Sequence, residues 1–191
     1  MFFKSPQFNF ILFSFLFTFF FTRSQNDPEK FAESITEQEL KELLYVYASD
    51  YFDGRETGTK GQKIAVDFLR SFYQTHKIAP VKGTQNYFQP FELTLKKELV
   101  STENVLAIIS GSEKPEEYII LSSHLDHIGN HNGKINNGAD DDGSGNVALL
   151  EIAEAFQLAS EAGQRPKRSI VFLHVSGEEK GLLGSEYYVE H

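Results

Sequence analysis

Two short apolar runs, residues 118–123 and 170–175, stand on either side of one helical stretch, residues 144–160, and this arrangement limits the possible folds most tightly. An apolar run without alternation suits a strand covered on both faces. Between the runs, Val147, Leu150, Ala153 and Phe156 recur at helical spacing and form one inward stripe. Strand, helix, strand in that order predicts an α/β layer whose two strands are parallel.

The upstream segments add helices and strands to that layer. Thr36 and Glu39 read as a capping box ahead of Leu40, Leu43, Leu44 and Tyr47, and the helix is expected to end near Asp50. Residues 51–57 show no periodicity and read as a loop. Thr59 and Gln62 form a second possible capping box, followed by the stripe Ile64, Ala65, Phe68, Leu69 and Phe72. Pro80 and Gly83 end that pattern. Residues 87–100 predict one or two strands, and 104–109 another.

The first residues read differently. Lys4 gives a positive end, and residues 8–21 are apolar apart from Asn9, Ser14 and Thr18. Such a run is short for a membrane span and suits a secretory signal over 1–24, cleaved near Ser24; an uncleaved anchor is the alternative. The layout expected is a signal at 1–24 and part of one catalytic domain at 25–191. Secretion or a periplasmic location follows, with no stable membrane association once the signal is removed. Loss of Lys4 and Arg23 would move the net charge from -9 to -11. An acidic surface of this size argues against a nucleic-acid partner. The chain has no cysteine, so any metal must rest on His, Asp and Glu.

Three polar clusters sit at the ends of the predicted strands or at the start of the helix. They are Ser123-His124-Leu125-Asp126-His127, Asn137-Gly138-Ala139-Asp140-Asp141-Asp142-Gly143-Ser144-Gly145, and Ser176-Gly177-Glu178-Glu179. In open α/β sheets, ligands bind at the carboxyl ends of the strands. Taken singly, each cluster has an ordinary reading: a surface pair, a solvated acidic loop, a charged turn. Together they supply imidazole and hard carboxylates, a donor set for zinc or a similar divalent ion. Three consecutive aspartates raise one another's pKa unless a cation joins them. One carboxylate bridging two ions about 3.5–4 Å apart is a common hydrolase design, and a free glutamate beside it can move a proton.

In order and spacing, Ser123-His124-Leu125-Asp126-His127-Ile128-Gly129, then Gly138 through Gly145, then Gly177-Glu178-Glu179-Lys180-Gly181-Leu182-Leu183-Gly184-Ser185 resemble the co-catalytic zinc peptidases. That family includes bacterial leucyl aminopeptidases, glutamate carboxypeptidases and glutaminyl cyclases. Residues 48–50 and 55–62 are similar to the bacterial aminopeptidase branch. The resemblance implies a three-layer αβα sandwich around a mixed, largely parallel sheet, of which only the N-terminal part is present. It implies two Zn2+ ions, with His124 as a ligand of one, Asp141 as the bridge and Glu179 as a ligand of the other. It makes Asp126 the acid that orients His124 and Glu178 the general base and acid, and it implies a cis peptide between Asp141 and Asp142. The activity implied is hydrolysis of N-terminal residues from peptide substrates by activated water. A glutaminyl cyclase, which uses one zinc, a carboxypeptidase, or a non-catalytic binding relative are the alternatives.

The family's two further ligands, an Asp and then a His, find no match here, and His191 follows the glutamate pair too closely to be the distal histidine. The expectation is a C-terminally truncated chain that folds poorly and lacks activity. Of the remaining residues, His127 reads equally as site-lining and structural, His131 as solvated, His174 as a satisfied core histidine, and Lys180 as exposed.

Overall fold

The computed structural model describes residues 28–191; the signal read at 1–24 lies outside them. Helix α1 (Pro28–Ala32) is short, and α2 (Glu37–Tyr47) begins at the expected box. Thr36 Oγ1 accepts the Glu39 N–H at 3.1 Å and donates to Glu39 Oε2 at 2.6 Å. A 3-10 turn over Asp50–Arg55 follows, with Asp53, Gly54 and Arg55 at positive φ.

Helix α3 (Lys60–Thr75) starts without the second box. The Thr59 hydroxyl donates to Glu56 O at 2.7 Å, and Gln62 Oε1 accepts the Gly58 N–H at 3.0 Å. Main-chain groups of the preceding turn have captured both side chains, the usual competitor of a cap. Leu69 and Ala65 are nonetheless fully buried, as the stripe predicts.

Strands β1 (Ala79–Pro80), β2 (Phe88–Leu95) and β3 (Glu98–Ile109) come next. β3 is one unbroken strand where the sequence suggested a division near 101–103. β2 and β3 form a hairpin whose turn places Lys96 and Lys97 at φ 51° and 71°. Positive φ at both central residues matches the twist of the flanking strands. Beyond lie β4 (Lys114–His124), the small hairpin β5 (Asn130–His131) and β6 (Lys134–Ile135), α4 (Ser144–Glu161), β7 (Arg168–Val175) and α5 (Leu183–Glu190).

The main sheet runs β1-β3-β7-β4, with β2 also on β3. β4 and β7 are parallel, as the strand–helix–strand order predicts, and His124 stands opposite Val175. The other pairings in this sheet are antiparallel. One face packs Val105, Ala107, Ile170 and Phe172 against Tyr47, Leu69, Val147 and Leu150 of the helices. The alternate residues Leu106, Val171, Leu173 and Val175 meet Tyr188 of α5 on the other face. The result is a mixed sheet flanked by helices. Among the described residues no helix is long and apolar enough to cross a membrane.

The two apolar strands differ in burial. β7 is covered on both faces, as expected. β4 is not: Tyr118, Ile119 and Ile120 are 53%, 48% and 47% exposed. Among the described residues β4 has β7 as its single neighbour in the main sheet, and its outer edge pairs with no strand.

Candidate metal centre

The parallel β4–β7 pair delivers two of the clusters to one edge of the sheet, and the turn into α4 delivers the third. His124 is the last residue of β4. Its Nδ1 donates to the main-chain oxygen of Asp126 at 3.0 Å, which turns Nε2 toward Asp141 Oδ1 at 2.9 Å. A carbonyl can only accept, so Nδ1 carries the proton and Nε2 presents its other valence to a carboxylate.

The hydrogen bonds of the Asp126 carboxylate go elsewhere than to the His124 ring. That carboxylate is fully buried and accepts the Thr57 hydroxyl at 2.7 Å and the Glu178 N–H at 3.2 Å. Burial pushes its pKa up; the Thr57 hydroxyl, the Glu178 N–H and nearby His124 oppose that rise. Asp126 therefore orients His124 through its main chain, while its side chain fixes the backbone of the glutamate pair.

The acidic turn over Ala139–Gly143 contains the expected cis peptide between Asp141 and Asp142. Asp141 is the outward member, with 66% of its side chain exposed and its two oxygens directed at different histidines. Asp142 faces inward. Its Oδ2 accepts the His124 N–H at 3.2 Å, and its Oδ1 accepts the Gly145 N–H at 3.0 Å, which serves the first turn of α4. A side chain at Gly145 would collide with that carboxylate.

Glu178 and Glu179 begin a 3-10 turn directly after β7 and Ser176-Gly177. Glu178 Oε2 lies 3.9 Å from His124 Nε2. Glu179 Oε1 lies 2.7 Å from His127 Nδ1, and His127 Nδ1 lies 3.9 Å from Asp141 Oδ2. One donor atom each from His127, Asp141 and Glu179 falls within 4.8 Å of the others. His127, read equally as site-lining and structural, thus stands inside the cluster. Lys180, read as exposed, pairs with Glu56 Oε1 at 2.9 Å. That pair joins the glutamate turn to the segment before α3.

The donor set fits a divalent ion. At both histidines a ring nitrogen and a carboxylate oxygen stand 2.7–2.9 Å apart, close enough for a ring N–H or a cation to join them. Imidazole nitrogens and carboxylate oxygens are the ligands zinc takes when thiolates are lacking.

Two residues that sequence reasoning did not single out hold this arrangement. Arg55 is fully buried. Its guanidinium donates to Leu125 O at 3.0 Å, Tyr47 O at 3.1 Å, Asn137 O at 2.7 Å and Gly138 O at 2.8 Å, and it lies over the Tyr47 ring. Burial lowers its pKa, while Tyr47 and the carboxylates of Asp126, Asp142 and Asp141 counter that. Asn146, also fully buried, donates to His124 O and to Asp142 O. Its oxygen accepts His174 Nδ1–H at 2.6 Å, and His174 Nε2 accepts the Tyr73 hydroxyl at 2.6 Å. His174 is the satisfied core histidine expected, and burial pulls its pKa down to about 3. A buried amide among the mostly apolar buried residues of α4 was the available signal for Asn146.

Residues 104–191 match the model of Peptidase family M28. The chain is 34% identical over 115 residues to a probable glutamate carboxypeptidase, LAMP1, of Arabidopsis thaliana, covering 60% of this chain and 15% of that protein. It is 39% identical over 94 residues to aminopeptidase NAALADL1 of Rattus norvegicus, covering 49% and 12%. Among solved structures, a Porphyromonas gingivalis glutaminyl cyclase superposes with a TM-score of 0.63 at 21% identity, over 80% of this chain and 54% of that one. The chain thus spans a small part of these curated relatives and about half of that structure.

Proposed function

We propose, from the premise that residues 104–191 belong to peptidase family M28, that the protein carrying this chain is a zinc-dependent aminopeptidase. It would remove N-terminal residues from peptides and, with the signal read at 1–24, act outside the cytoplasm. The observation that carries the reading is the meeting of His127, Asp141 and Glu179 at one sheet edge, with His124 against Asp141 and Glu178 beside it.

His124, Asp141 and Glu179 would hold the metal. Zinc there supplies polarisation of the scissile carbonyl and acidification of water. Glu178, with a third of its side chain exposed (34%), has room to take the proton of the attacking water and return it to the leaving amine. Asp126 holds the Glu178 N–H and so fixes where that carboxylate starts. The same residue's carbonyl keeps the His124 proton on Nδ1, which leaves Nε2 for the metal. The two oxygens of Asp141, directed at His124 and His127, suit a bridging role. The intact acidic turn and glutamate pair favour two ions over the one-zinc glutaminyl cyclase reading. The resemblance read at residues 48–50 and 55–62 to the bacterial aminopeptidase branch favours aminopeptidase over carboxypeptidase.

The test compares free and N-acetylated peptides as substrates, with and without a chelator. Free N-termini and metal should both be required, and Glu178→Gln should lower kcat by about 100- to 10,000-fold with KM nearly unchanged. Equal cleavage of acetylated peptides, or a rate indifferent to chelation, would overturn the reading.

A further inference from the structure

We propose that His127 is itself a metal ligand, binding through Nδ1 the ion that Asp141 and Glu179 share. The proposal rests on the metallopeptidase reading and extends it, because the family resemblance assigns no ligand at this position.

Distance is the first argument. Around a tetrahedral zinc with bonds of about 2.0–2.1 Å, neighbouring donors stand about 3.3 Å apart. The observed separations, 2.7 Å from His127 Nδ1 to Glu179 Oε1 and 3.9 Å to Asp141 Oδ2, lie on either side of that figure. Both can reach it by movements of about half an ångström, and Asp141, the exposed member, has room to turn.

Fixation of the ring is the second argument. The His127 N–H donates to Arg55 O at 3.2 Å. Gly138, at φ +55°, lies flat against the imidazole, and a Cβ there would stand 2.6 Å from His127 Cγ and 2.7 Å from Cδ2. Arg55 binds the carbonyl of that same glycine. The ring is thus clamped between two segments with Nδ1 facing the carboxylates, and 12% of the side chain is exposed.

Donor count is the third. His127, Asp141 and Glu179 give one ion position three protein donors, the usual number for a catalytic zinc. Among the described residues the other position has His124 and Asp141, with Glu178 reserved for proton transfer. Within this chain the first ion should therefore bind at the His127 position.

The competing role for His127 is that of a hydrogen-bond partner that orients Glu179 from outside the metal sphere. One substitution separates the two. In His127→Asn the side-chain amide can occupy the place of Nδ1 and still donate to Glu179, but it is a poor zinc ligand. In His127→Asp an oxygen in the same place can still bind the ion. The metal-free 191-residue chain and its variants would be titrated with Zn2+ by calorimetry and with Co2+ by visible absorption, with circular dichroism to verify the fold. The expected result is one tight equivalent that His127→Asn weakens by more than about 100-fold, beyond the 10- to 100-fold typical for an outer partner. His127→Asp should stay within about tenfold of the parent, and the Co2+ spectrum should change in His127→Asn. Tight binding that His127→Asn leaves within about 100-fold, with an unaltered Co2+ spectrum, would overturn this assignment and leave the metallopeptidase reading standing. A parent chain that is folded by circular dichroism yet binds neither ion would overturn this assignment, while the metallopeptidase reading of the longer protein stands or falls by the chelation assay above.

Discussion

Acidification should destabilise this fold through His174. The imidazole is fully buried between the Tyr73 hydroxyl and Asn146, and burial holds its pKa at about 3. In the unfolded chain the same group titrates near 6.5. Its folded pKa lies below its unfolded one, so the stability it contributes is complete above about pH 6.5 and declines as pH falls toward 3. In that window the unfolded state binds one more proton than the native state, and each pH unit removes about 1.4 kcal/mol. Between pH 7 and pH 5 the loss is about 2 kcal/mol, a sizeable share of the 5–15 kcal/mol typical of a domain. The assay is urea unfolding of the parent and of His174→Gln at both pH values. The variant lacks the titrating group, so its stability gap from the parent should narrow by about 2 kcal/mol at pH 5. A gap that stays constant to within about 0.5 kcal/mol would refute the reasoning, because the buried imidazole would then carry no linked proton.

Arg55→Lys replaces five N–H donors with one ammonium and leaves several buried carbonyls among Leu125, Tyr47, Asn137 and Gly138 unpaired. Unfolding midpoints should report a loss of about 2–4 kcal/mol, and a loss under about 0.5 kcal/mol would show that water or a shifted loop serves those carbonyls equally well. Ile120→Lys places a charge on the exposed apolar edge strand β4. Sedimentation should show weaker concentration-dependent association than in the parent, with an unchanged circular dichroism spectrum; a parent that stays monomeric at high concentration would contradict this.

The parts legible in the sequence were those in which neighbouring residues carry the signal. Val147, Leu150 and Ala153 repeat every three or four positions, so α4 and the parallel β4–β7 pair around it could be read directly. Thr36 and Glu39 stand three apart, and the box they form is local. The same logic failed at Thr59 and Gln62, because the unpaired groups of the preceding turn were invisible in the sequence. It failed at Lys96 and Lys97 too, because nothing in a lysine pair advertises positive φ where Asn-Gly would. The burial of β4 was overestimated for a different reason. Apolar composition reports what a strand can tolerate, whereas the exposure of Ile119 and Ile120 depends on which strand lies alongside. Arg55 was unreadable as a buried residue, since a guanidinium enters a core only where several carbonyls from distant segments converge on it.

The residues that hold the centre together are different from those that face the candidate metal position. Asp126 joins the first cluster to the third through the Glu178 N–H, and Asp142 joins the second to the first through the His124 N–H. Asn146 repeats that second link from the other side, and Lys180 with Glu56 adds an anchor from the third cluster to the Arg55 segment. Arg55 ties Leu125 of the first cluster to Asn137 and Gly138 of the second. Most of these ties end on a main-chain atom, so they fix the path of the backbone and leave the exposed Asp141 carboxylate room to turn. The anions outnumber the cations here, and the buried Arg55 charge lies close enough to Asp126, Asp141 and Asp142 to offset part of their repulsion before any metal arrives. Preorganisation of the site therefore resides in the fold around it, which is why a change at Arg55 should reach the metal position without touching a single ligand.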